Sequence, residues 1–101
     1  TFCGHVHVPA LFHPTAGGKV ARFEPVADAA LTLTPQRRWV AVIGAVGQPR
    51  DRNPAACYAL YDDAARTLTY VRVPYDIATA QRKIRDAGLP PFLAARLAWG
   101  R

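Results

Sequence analysis

Methionine is missing from all 101 residues, and cysteine occurs only at Cys3 and Cys57. Two cysteines so far apart, with no CxxC pair, exclude a disulfide-stapled small domain and a cysteine metal knuckle. They read instead as small buried hydrophobes in a reducing, cytoplasmic compartment. No apolar run approaches the ~18 residues that a membrane span needs, and no signal-peptide pattern opens the chain. A P-loop, a glycine-rich nucleotide fingerprint and a Ser/His/Asp set with credible placement are also absent. Acidic residues are few, 7 against 13 Lys and Arg, and Glu24, Asp28 and Asp62–Asp63 are scattered as solvated residues tend to be. Only Phe2 and Cys3 precede Gly4, whereas a buried strand normally runs about 4–8 residues. The expectation is a chain cut inside a strand, a segment of a larger protein.

What is present suits a folded core. Half of the residues are apolar and 20% are charged, which argues against disorder. The length holds one domain and not two. The formal net charge is +6, nearly all from arginine, since Lys19 and Lys83 are the only lysines. A basic surface attracts phosphates or nucleic acid. A solvated arginine-rich face is the plainer reading, and a nucleic-acid partner has no base-stacking aromatic cluster in the loops to support it.

Alternation predicts strands near 10–13, 19–24, 29–33, 38–43, 56–62 and 67–73. In the last of these Leu68, Tyr70 and Arg72 face one way, and Thr69, Val71 and Val73 the other. Breakers at Thr15–Gly18, Pro35–Arg37 and Asp62–Arg66 separate them. Helices then take over. Asp76 is a good N-cap for a helix from Ile77 to Ala87, with Ile77, Ala80 and Ile84 at core spacing. Gly88 suits the left-handed position after that helix, and Pro91 opens a second one running through Arg96 and Leu97. The fold class expected is α/β, a run of β-strands followed by one or two helices.

Two stretches can carry chemistry. In Gly4-His5-Val6-His7-Val8-Pro9, two imidazoles spaced i, i+2 would project to the same side of an extended segment. They can then share a metal ion, or hold one ion each in a paired site. The plain alternative is the wet face of an amphipathic strand. His13, between Phe12 and Pro14, reads as a surface histidine and not as a third ligand. The second stretch is the long loop Gly44–Pro54 after the apolar strand Trp39–Ile43; loops of that length are more often functional than decorative. There Arg50 can grip a phosphate oxygen bidentately, or merely latch the loop through Asp51 or a backbone group.

Taken in order, these pieces resemble the C-terminal part of bacterial calcineurin-like metallophosphoesterases. Gly4-His5-Val6-His7 is similar to that family's closing metal motif, G-H-x-H. Val46-Gly47-Gln48-Pro49-Arg50-Asp51 with Asn53-Pro54 is similar to its next block, and Ala87-Gly88-Leu89-Pro90 with Arg96-Leu97 to its terminal helices. The resemblance implies residues 1–101 as the closing portion of a single metallophosphoesterase domain, an αββα sandwich that hydrolyses phosphate esters. It implies two divalent metal ions (Mn, Fe, Ni or Zn), with His5 on one and His7 on the other, and leaves Arg50 as the candidate substrate contact. No catalytic residue falls in this segment, because the family's D-x-H, G-D-x-x-D and G-N-H-[DE] motifs precede G-H-x-H and none of them is here. One departure stands out. Val42-Ile43-Gly44-Ala45 occupies the slot where relatives read N-P-G-S, which leaves open an inactive pseudoenzyme or a basic anion-binding module.

Overall fold

The computed structural model describes every residue from Thr1 to Arg101. Seven strands come first: β1 (Phe2–Cys3), β2 (Ala10–Pro14), β3 (Val20–Phe23), β4 (Ala30–Thr32), β5 (Val40–Val42), β6 (Ala56–Asp62) and β7 (Thr67–Val73). Two helices follow, α1 (Ile77–Asp86) and α2 (Pro91–Ala95), and a 3-10 turn over Arg96–Trp99 ends the fold. The α/β reading and all six expected strands are found, with the strands near 19–24, 29–33 and 38–43 shorter than the alternation suggested.

The strands form two sheets, a mixed one in the order β1-β5-β2-β3 and an antiparallel one in the order β4-β7-β6. Their facing sides make the core, in which Leu11, Ala41, Cys57, Leu68 and Tyr70 are buried. Phe23, Leu31, Leu33, Trp39 and Ile43 close around them. Tyr70 reaches from β7 across to the other sheet, its hydroxyl 3.1 Å from the Val42 carbonyl and 3.4 Å from that of Ala10. A hydroxyl has one proton to donate, so the shorter bond, to Val42, takes it.

Cys57 is buried as expected, and burial raises its thiol pKa. Cys3 is not: it is exposed, because β1 is an edge strand that pairs only with β5.

Asp76 caps α1 as its position predicts, its side chain accepting a 2.9 Å bond from the Thr79 amide. That bond holds the carboxyl below its usual range. Gly88, with φ 70°, takes the left-handed conformation just after the helix. The amphipathic α1 has no fully buried residue, because it packs on α2 and the 3-10 turn and not on the sheets. The chain's radius of gyration, 15.9 Å, exceeds the ~13 Å expected of a compact domain this long. Only 12 of 101 residues are buried, while Trp99, Phe92, Leu60 and Phe2 are each at least half exposed. No helix is long and apolar enough to cross a membrane.

Candidate metal and phosphate site

Strand register explains why two distant stretches of sequence meet. Antiparallel β2 and β5 pair Ala10 with Val42, the first residue of one against the last of the other. Parallel β1 ends beside the same residue, Cys3 opposite Val42. The segments Gly4–Pro9 and Ile43–Ala55 therefore leave the sheet at one edge. Leu11 pairs with Phe23, so Glu24 and Pro25 emerge there too. In the other sheet Cys57 pairs with Arg72, which brings the end of β7 to the point where the long loop re-enters the fold.

The histidines do not lie on an extended segment, and the expectation of one is corrected here. His5 has φ 73° and His7 φ 66°, both left-handed. The Val6 amide donates a 2.9 Å bond to the Gly4 carbonyl, closing a three-residue turn centred on His5. A bond across three residues with positive φ at the centre is a strained γ-turn geometry. A glycine before the first histidine and a proline after the second keep the segment from pairing as strand.

His7 is tied to the other loop twice. Its Nδ1 lies 2.8 Å from the Gln48 carbonyl, and the Arg50 amide donates a 3.1 Å bond to the His7 carbonyl. A carbonyl oxygen only accepts, so Nδ1 carries a proton, and in the neutral ring Nε2 keeps the lone pair. That tautomer, fixed by a backbone carbonyl, is the one in which histidines bind metals through Nε2. His5 is exposed. His13 lies elsewhere, edge-on to Trp39 at 5.0 Å and to Phe23 at 6.3 Å, with Nδ1 3.0 Å from the Pro14 carbonyl.

Arg50 is exposed, and its side chain is latched by neither Asp51 nor a backbone group. Its Nε and Nη2 both donate to the Gln48 side-chain oxygen, at 3.0 and 2.5 Å. Asp51 instead forms an ion pair with Arg72, whose side chain also donates a 3.1 Å bond to the Ala55 carbonyl. This pair is largely buried, at 14% exposure for Arg72 and 16% for Asp51, and burial lowers the Arg72 pKa. Arg72 was missed as a site residue although a signal existed: a charge sharing a strand face with Leu68 and Tyr70 demands a buried partner.

Arg52 also has a left-handed backbone, φ 66°. Its amide donates a 2.9 Å bond to the Gly100 carbonyl, which clamps the loop to the end of the helical segment. Gly100 lies so close that a Cβ there would come within 2.8 Å of the Asn53 backbone. Of five non-glycine residues with positive φ, three are His5, His7 and Arg52, and such strain gathers where surrounding structure enforces it, often at functional sites. Gly44 is retained for a packing reason: with φ 91°, a Cβ there would sit 3.1 Å from the Cys57 sulfur.

Between these loops lies a cleft of about 350 Å³, walled by Val8, Pro9, Glu24, Pro25 and the stretch Arg50–Arg52, with Arg72 at its base. No group of three or more His, Cys, Asp and Glu side chains stands together in the chain. An ion with nitrogen and oxygen ligands takes four or more donors. His5 and His7 by themselves are too few donors for such an ion.

This chain aligns over 99% of its length with a metallophosphoesterase from Sphaerobacter thermophilus of solved structure, at a TM-score of 0.90 and 40% identity. It is built like part of a metallophosphoesterase. The likeness takes in the histidine turn, the long loop and the terminal helices together, since nearly every residue is matched. The chain is also 35% identical, over 100 residues, to the uncharacterized protein MJ0912 of Methanocaldococcus jannaschii. It spans about two fifths of both relatives, 41% of the metallophosphoesterase and 39% of MJ0912. No protein-family model matches it.

Proposed function

We propose that residues 1–101 are the C-terminal portion of one metallophosphoesterase domain, and that the intact protein hydrolyses phosphate esters with two divalent metal ions. His5 serves one ion and His7 the other, with Mn, Fe, Ni or Zn as candidates of matching ligand chemistry. The observation that carries this reading is the 2.8 Å bond from His7 Nδ1 to the Gln48 carbonyl, which leaves Nε2 free to ligate. When bound, a metal pair supplies charge neutralisation and Lewis acidity for phosphate-ester hydrolysis. The chain's own residues do the holding: the Gln48 carbonyl fixes the His7 ring, the Arg50 amide holds the His7 backbone, and the Gln48 side chain aims the Arg50 guanidinium. The remaining ligands and the proton donor come from sequence outside this chain. So does the cover for exposed Phe2 and Leu60, as large apolar side chains left open on a sheet call for it. Both thiols are free, in keeping with a cytoplasmic protein.

The test is turnover of p-nitrophenyl phosphate by the full-length protein. Chelation abolishes it and manganese restores it. His7→Ala lowers it by more than the ~10–100-fold that losing an outer-shell partner of a metal costs. Wild-type turnover in metal-loaded His7→Ala overturns the reading. One feature favours an inactive relative, the Val42-Ile43-Gly44-Ala45 slot, and metal-loaded protein without turnover on mono- or diesters decides for it.

A further inference from the structure

Counting charges in the cleft leaves two unanswered. It holds three guanidinium groups, on Arg50, Arg52 and Arg72, and two carboxylates, on Glu24 and Asp51. Asp51 is consumed by Arg72. Glu24 is paired at 3.2 Å with Arg22, which lies outside the cleft walls. These are the chain's two ion pairs, so Arg50 and Arg52 keep their charge. Both line the cleft, the Arg50 side chain forked onto Gln48 and the Arg52 backbone left-handed and tied to Gly100.

We propose that this cleft is a phosphate subsite built by the chain itself, with Arg50 and Arg52 gripping a dianionic phosphate group of a phosphorylated small molecule. The charge matches: a phosphomonoester carries about −1.5 to −2 near pH 7, whereas a diester carries a single charge. Guanidinium forks suit phosphate oxygens because two parallel N–H donors meet two acceptors. The volume of about 350 Å³ falls within the ~300–1,000 Å³ of small-molecule sites. Arg72, neutralised and buried, positions the loop through Asp51 and the Ala55 carbonyl and does not grip the anion. That the phosphate belongs to a substrate rests on the phosphoesterase reading; binding of the anion does not.

The experiment is calorimetric titration of the full-length, metal-stripped protein with inorganic phosphate at pH 8, alongside dimethyl phosphate as a singly charged diester. Phosphate binds, and its affinity falls steadily as salt rises. Dimethyl phosphate binds at least about tenfold more weakly. Arg52→Gln and Arg50→Gln each weaken phosphate by about tenfold or more, the worth of a charge-assisted hydrogen bond. Arg50 is exposed and its side chain holds only Gln48, so that variant reports on binding even if Arg52→Gln loosens the loop. The proposal is overturned if metal-free protein ignores phosphate, if dimethyl phosphate binds equally well, or if Arg50→Gln matches wild type. Metal is absent throughout, so none of these failures touches the roles of His5 and His7. Loss of those roles would equally leave this cleft standing.

Discussion

The space between the sheets and the edge where the strands end follow opposite rules. Between the sheets no charged residue is buried, and Leu11, Leu68 and Tyr70 fill the volume. At the edge the apolar content is slight, the backbone bends into left-handed conformations at His5, His7 and Arg52, and an ion pair is taken nearly out of water. The first arrangement gains free energy by burying apolar surface. The second spends some of it, since strained φ values cost about 1–3 kcal/mol each. Tyr70 connects the two, because its bonds to Ala10 and Val42 fasten the strand ends from which the histidine segment and the long loop depart.

The largest expected effect breaks the edge from within. Asp51→Ala leaves the largely buried Arg72 without its counter-charge, and destabilises the full-length protein by about 3–5 kcal/mol in urea unfolding. Replacing both, Asp51→Ala with Arg72→Met, recovers much of that loss, since apolar side chains can replace a buried pair at little cost. A single-variant loss under ~1 kcal/mol would mean that the pair does not hold the loop. Leu68→Ala, on the other side of the comparison, costs about 2–5 kcal/mol through the cavity it opens, with metal content of the folded protein unchanged. Gly44→Ala follows at about 1–3 kcal/mol, because a side chain there must be left-handed and press on Cys57; a neutral result would show that the turn relaxes freely.

The smallest effect concerns pH. Burial, then the neighbouring Cys57 and Cys3 thiols, push the Tyr70 pKa up to about 12, against ~10 for an ordinary tyrosine. A raised folded-state pKa contributes stability that is complete below the unfolded value and lost as pH climbs through the folded one. Unfolding free energy should thus decline between about pH 10 and 12, and Tyr70→Phe should flatten that decline without removing it, because Cys57 is raised as well. An unchanged slope in Tyr70→Phe would assign the alkaline loss to other groups.

Much of the sandwich was legible because it obeys period two. Thr67–Val73 shows it fully, with Leu68 and Tyr70 buried, Arg72 largely so, and Val73 exposed. Helix α1 was legible from its cap, Asp76, and its terminator, Gly88. The edge was legible only as a set of residue types. That the loop carrying His7 meets the loop carrying Arg50 depends on the Ala10–Val42 register, which no local pattern encodes. The histidine segment was misjudged as extended because its turn is closed by a local backbone bond that side-chain alternation does not report. The Asp51–Arg72 pair joins residues 21 apart and is decided by which charge the core face of β7 has to neutralise. Cys3 misled because burial depends on neighbouring strands and not on the cysteine itself.

Elemental analysis of the full-length protein decides whether His5 and His7 hold metal as proposed. Purified without chelator, the wild type should carry close to two divalent ions per chain, His5→Ala and His7→Ala each about one fewer, and the double variant fewer still, all with a cooperative thermal transition. Full and equal metal content in folded wild-type and variant proteins would remove both histidines from the metal site.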